Sequence, residues 1–120
     1  MSHTNLPQNL DNIFESLANK HRREIIHSLG LQPHSVSRLA SLQDLSLPAI
    51  HKHIKILKNA NLIIDKKIGR THFLTLNRES LRTLQEWVMQ YYTYWGNNEE
   101  TLENYTYYLN KKEKGGETKK

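Results

Sequence analysis

The sequence predicts a mainly α fold in one domain, with four short helices leading into a two-stranded β-hairpin and then a long C-terminal helix. Three observations predict it. Apolar residues recur at three- and four-residue steps between Leu10 and Leu57, the spacing of helices with one buried face. Two runs rich in β-branched and aromatic residues, 62–67 and 71–76, flank Ile68-Gly69-Arg70. The helical period then returns through Leu81, Leu84, Trp87, Val88, Tyr91 and Trp95. A chain of 120 residues, 37% hydrophobic, suffices for one core, more so if a second copy shares the burial.

Leu10, Ile13, Phe14, Leu17 and Ala18 mark a first helix over 10–18, broken at Asn19. Ile25, Ile26 and Leu29 mark a second over 20–29, with Gly30 as its stop. Gln32-Pro33-His34 reads as a loop. Ser35 or Ser37 can cap a third helix reaching about Leu42, with Val36, Leu39 and Ala40 turned inward. Ser46 caps a fourth over 46–59, and Pro48 falls in its first turn, where a missing N–H does no harm. Asn61 is suited to a left-handed stop. The long helix after Asn77 should break near Gly96-Asn97-Asn98, with a further helical stretch over 102–109. Residues 1–110 then form the domain, with dimerising terminal helices, and 111–120 a disordered basic tail.

Charge narrows the function. The chain carries +5 overall. Residues 20–82 hold twelve Lys and Arg against four Asp and Glu, whereas 83–110 hold four acids and no base. A basic middle between acidic flanks suits a polyanionic partner on one surface and something else on another. With no cysteine, disulfides and thiolate metal sites are excluded. No signal peptide and no membrane span are legible, so a cytoplasmic protein without a membrane partner is expected. Neither a nucleophile elbow, nor a phosphate loop, nor a carboxylate pair with context is present, so no enzyme is expected.

The fourth helix carries the chemistry. Ile50, Ile54 and Leu57 form its apolar edge, with His53 beside them; Pro48, His51, Lys52, Lys55 and Asn59 form the opposite stripe. A helix that packs on a core through one edge can lie in a DNA major groove with the other. Small or polar residues at its start, Ser46, Pro48 and Ala49, allow close backbone approach, and the first N–H groups can bind phosphate. His51 and Lys52 are placed for base edges, Lys55 for base or phosphate. Lys58, Lys20, Arg22 and Arg23 suit phosphates, and Arg70 at the hairpin tip suits a minor groove or phosphate. Two short helices, a tight connector and a basic hairpin make a winged helix-turn-helix with a two-stranded β-wing and a long C-terminal dimerisation helix.

Three segments in order resemble one known family. Residues 46–63, Ser-Leu-Pro-Ala-Ile-His-Lys-His-Ile-Lys-Ile-Leu-Lys-Asn-Ala-Asn-Leu-Ile, resemble the recognition-helix segment of ArsR-type winged helix-turn-helix regulators, commonly Ser-Gln-Pro-Ala-Val-Ser-x-His-Leu-Lys-x-Leu followed by Ala-Gly-Leu-Val. Residues 14–26 resemble its Leu-Ala-Asp-x-Thr-Arg-Arg-x-Ile-Leu, and residues 69–76 its Gly-Arg-x-x-Tyr-Tyr-x-Leu wing. The resemblance implies a homodimer bound to double-stranded DNA, repression at a palindromic operator, and release by a ligand. Leu47 stands for the usual glutamine, His51 for serine and Asn61 for glycine. These departures bear on the operator that would be read, not on the fold.

Many members of that family sense metals through cysteines or through Asp/His clusters on the C-terminal helix; here there is no cysteine, and residues 77–109 hold no histidine. His51 and His53, two apart on a helix, point about 200° apart and cannot chelate one ion. No metal and no cofactor are therefore expected. The aromatic C-terminal region reads first as a dimer seam of Leu84, Trp87, Val88, Tyr91 and Trp95 against Leu10 and Phe14 of the first helix, and second as a pocket for a small organic inducer. The rival functions are a metal-responsive repressor and a winged-helix protein–protein adaptor that binds no DNA.

Overall fold

The computed structural model describes residues 9–92 and 96–119. In order they form α1 (Leu10–Leu17), α2 (Lys20–Leu31), β1 (His34–Ser35), α3 (Val36–Gln43), α4 (Leu47–Asn59), β2 (Ile63–Ile68), β3 (Thr71–Leu76), α5 (Arg78–Tyr92) and α6 (Glu100–Lys119). The chain up to Leu84 is one compact unit and the chain from Gln85 is another.

Polar caps start three helices of the first unit. The Asn19 side chain accepts from the Arg22 N–H, Ser35 from Arg38 and Ser46 from Ala49. Each cap residue is extended and satisfies an N–H that the helix leaves open. Of the two serines that could cap α3, Ser35 does so. Between α3 and α4, Asp44 turns the chain at φ 54°, which makes the connector tight.

One core joins these elements. Ile13 of α1, Ile25 and Leu29 of α2, Leu39 and Ala40 of α3, and Ile50, Ile54 and Leu57 of α4 are buried together, closed by Ala60, Leu62, Ile63 and Leu74. The hairpin pairs Ile63 with Leu76 through Ile68 with Thr71, antiparallel, around a Gly69 at φ +63°. Asn61 takes the left-handed conformation expected of it, at φ 59°. Its carbonyl accepts from the Ser80 hydroxyl at 2.6 Å and the Asn77 amide at 2.8 Å, tying the start of α5 to the end of α4.

Two elements of the first unit differ from the sequence reading. The segment read as a loop before α3 contributes a third strand, in the order β1-β3-β2, with His34 opposite Leu74 and Ser35 opposite Phe73. Gly30 does not stop α2, which continues to Leu31. The stop comes at Gln32, extended at φ −170° and ψ 163°, because Pro33 bars the residue before it from the helical region.

In the second unit, Asn97 and Glu100 begin α6 with reciprocal side-chain-to-backbone bonds at 2.8 and 3.1 Å, following Gly96 at φ +89°. The backbone of α6 is helical to Lys119, through residues 111–119 that the sequence reads as tail. Trp87 and Tyr91 meet edge to face at 5.2 Å, and the Tyr105 and Tyr108 rings stack at 6.1 Å. Trp95 lies outside the described residues. Among the described residues no helix is long and apolar enough to cross a membrane, and no three His, Asp or Glu side chains are grouped to hold a metal ion.

Candidate nucleic-acid interface

α4 divides as its sequence requires. Ile50 and Leu57 are fully buried and Ile54 nearly so, while Ser46, Pro48, His51, Lys52, Lys55, Lys58 and Asn59 are exposed. Ala49 is half-buried. Lys66, Lys67 and Arg70 of the hairpin are exposed as well. Between α3, α4 and the hairpin lies an open cleft of about 500 Å³, edged by Ser37, His51, Lys58, Arg70 and His72. His51 and Lys58 of α4 and Arg70 and His72 of the hairpin thus border one open space, while Lys52 and Lys55 lie on the same exposed helix outside its lining.

Several of the cations are engaged within the fold: Lys20 lies 3.9 Å from the Glu24 carboxylate, Nη1 of Arg23 donates to the Leu17 carbonyl at 2.8 Å, and Arg22 and Lys58 are held more extensively. Arg22 is half-buried, and its guanidinium donates from Nε to the Ser16 carbonyl at 2.6 Å, from Nη2 to the Glu15 carbonyl at 3.4 Å, and from Nη1 to Nδ1 of His53 at 3.3 Å. It caps the C-terminal end of α1 and reaches the flank of α4. Its placement therefore differs from the open phosphate contact expected from its charge. Lys58 donates to Asp65 Oδ2 at 3.4 Å, and the other carboxylate oxygen accepts from Nδ1 of His72 at 3.1 Å.

Both contacts alter titration. Burial chiefly, then the positive charge of Arg22 and His21, holds His53 below the ordinary histidine value. At Asp65 burial pushes the carboxyl up, but hydrogen bonds from His72 and Lys58, with their charges, outweigh it and bring the carboxyl below its usual range.

The residues expected at a dimer seam divide by exposure. Leu10 is buried inside its own unit, and Leu84 packs against the core. Phe14, Val88 and Tyr91 are exposed, and Trp87 is half-buried.

Sequence reasoning missed the Asp65 contacts and the Arg22 cluster. The first could have been found from hairpin register: with Ile68 opposite Thr71, Asp65 and His72 become diagonal neighbours on one face. The second has no sequence signal, because Arg22 joins the end of α1 to His53, a residue 31 positions away from it.

Comparison with known proteins gives a consistent result. A family model described as a helix-turn-helix domain matches residues 17–65. The chain is 31% identical over 83 residues to the HTH-type transcriptional regulator Rv2034 of Mycobacterium tuberculosis, covering 69% of this chain and 78% of that protein. It is 27% identical over 82 residues to the transcriptional repressor SdpR of Bacillus subtilis, covering 68% and 91%. The crystal structure of the ArsR family transcriptional regulator RHA00566 superposes with a TM-score of 0.64 at 32% identity, over 70% of this chain and 87% of that one.

Proposed function

This chain belongs to the ArsR family of winged helix-turn-helix transcriptional regulators, and from that premise we propose that it is a homodimeric repressor reading a palindromic operator in double-stranded DNA. One observation carries the reading: α4 buries Ile50, Ile54 and Leu57 and leaves His51, Lys52 and Lys55 outside, beside a basic hairpin and an open cleft.

In this reading α4 lies in the major groove. Ser46 and the first N–H groups of the helix meet a phosphate, and Pro48 and Ala49 let the backbone approach. His51 and Lys52 read base edges. Lys55, Lys58 and Arg70 meet the backbone, Arg70 from the wing tip. Arg22 acts one step back, holding the flank of α4 through His53. Two copies set their α4 helices about 34–36 Å apart, one helical turn of duplex. Repression is favoured by the likeness to SdpR, itself named a transcriptional repressor.

Selection of bound duplex from a random pool at stated salt tests the reading. The expected product is an inverted repeat whose half-sites lie about one helical turn apart. Lys52→Ala should alter base preference by about ten-fold or more at one position of each half-site, and Lys58→Ala should weaken all duplexes about equally. Retention of no duplex even at low salt would favour an adaptor.

A further inference from the structure

We infer that Asp65 is an internal competitor of the DNA backbone, a carboxylate that occupies Lys58 and His72 and that duplex must displace to engage them. The inference rests on the reading of α4 as a DNA-binding helix.

The placement is unusual for an acid. Asp65 is the sole acidic residue between Asp44 and Glu79, a stretch that holds Lys52, Lys55, Lys58, Lys66, Lys67, Arg70 and Arg78. It stands on β2 and spans both neighbours, with one oxygen 3.4 Å from Nζ of Lys58 on α4 and the other 3.1 Å from Nδ1 of His72 on β3. All three side chains border the cleft between α4 and the wing.

Exposure orders the three. The Asp65 side chain is 29% exposed, Lys58 45% and His72 56%. The carboxylate is therefore the most sheltered member, and its two donors keep open outer sides. A phosphate entering the cleft offers the same kind of acceptor at the same kind of distance. It would meet a lysine already neutralised and a negative charge immediately behind it. Removing the carboxylate should free one cation for the backbone. Exposed ion pairs contribute little to stability, so the change belongs in DNA binding and not in folding.

The test compares the full chain with Asp65→Asn, a near-isosteric change, on a mixed-sequence duplex by fluorescence anisotropy between 50 and 200 mM salt. The variant should bind more tightly, and its log–log salt slope should steepen by about 0.9, the increment for one full phosphate contact, because in the parent the displaced carboxylate offsets the contact that Lys58 makes. The ratio of variant to parent affinity should then be about three- to four-fold larger at 50 than at 200 mM. In a Lys58→Ala background the gain should largely vanish. Urea midpoints of both proteins serve as the folding control, with Asp65→Ser as the second variant if the asparagine protein folds poorly. Unchanged affinity and slope would overturn the inference. So would weaker binding, which would make Asp65 a base reader or a strut of the wing. If the parent bound while the variant matched it, only this inference would fall; if the parent bound no duplex at any salt, the reading of α4 would fall with it.

Discussion

Nδ1 of His53 accepts from the Arg22 guanidinium only while that nitrogen carries no proton. The folded ring therefore resists protonation, first because it is partly buried and then because Arg22 and His21 lie close. An unfolded chain offers an ordinary histidine, titrating near 6.5. Below that pH the unfolded state binds more protons than the folded state, so stability rises with pH across the window and is lost as pH falls. His53→Asn keeps an acceptor oxygen and removes the titration. Its urea midpoint should change less between about pH 7.5 and 5.5 than the parent's, and equal changes would remove His53 as a source. The residues here were unequally legible. The half-buried place of His53 follows from its position beside Ile50 and Leu57 on a helical wheel. The place of Arg22 does not, since its charge is plain in the sequence but the carbonyls of Glu15 and Ser16 come within reach only once α1 and α2 have packed.

α4 depends on what it buries and on what ends it. Leu57 is fully buried at the centre of the core, and Leu57→Ala should cost on the order of 2–5 kcal/mol in urea unfolding, through lost transfer energy and the cavity left behind. Asn61 ends the segment at φ 59°, where a Cβ is unwelcome and asparagine is among the residues that tolerate it. Asn61→Ala should cost about 1 kcal/mol, whereas Asn61→Gly should be near neutral, since the carbonyl held by Ser80 and Asn77 remains. Thermal melts of the pair check this; equal losses would mean that the asparagine amide, not the backbone conformation, matters. At this scale most of the fold could be read, because α4 and the hairpin each repeat their period several times. β1 could not be read. Two residues show no alternation, and they are a strand only because β3 lies beside them.

At the scale of the molecule, the sequence already separates a basic region, 20–82, from an acidic aromatic one, 83–110. What it leaves open is how much apolar surface one copy can cover by itself. Val88, Tyr91, Tyr92, Leu102 and Tyr107 are all exposed, at 42 to 72%. Phe14 of α1 is 42% exposed. Large apolar residues exposed along α5 and α6 suit a surface that is covered by a partner. On the proposed reading a second copy is that partner. Tyr91→Glu should then shift sedimentation from dimer to monomer while the near-wild-type urea midpoint of residues up to Leu84 persists. It should also separate the two ways of binding DNA. Two linked half-sites gain from effective concentration, by about 10² or more over either alone. A monomeric variant forfeits that gain and keeps its half-site contacts. Anisotropy with one-half-site and two-half-site duplexes reads the difference: the parent should prefer the longer site strongly, and the variant should bind both alike. A variant that sediments as a monomer yet retains the full preference would show that the half-sites are bridged by some other surface.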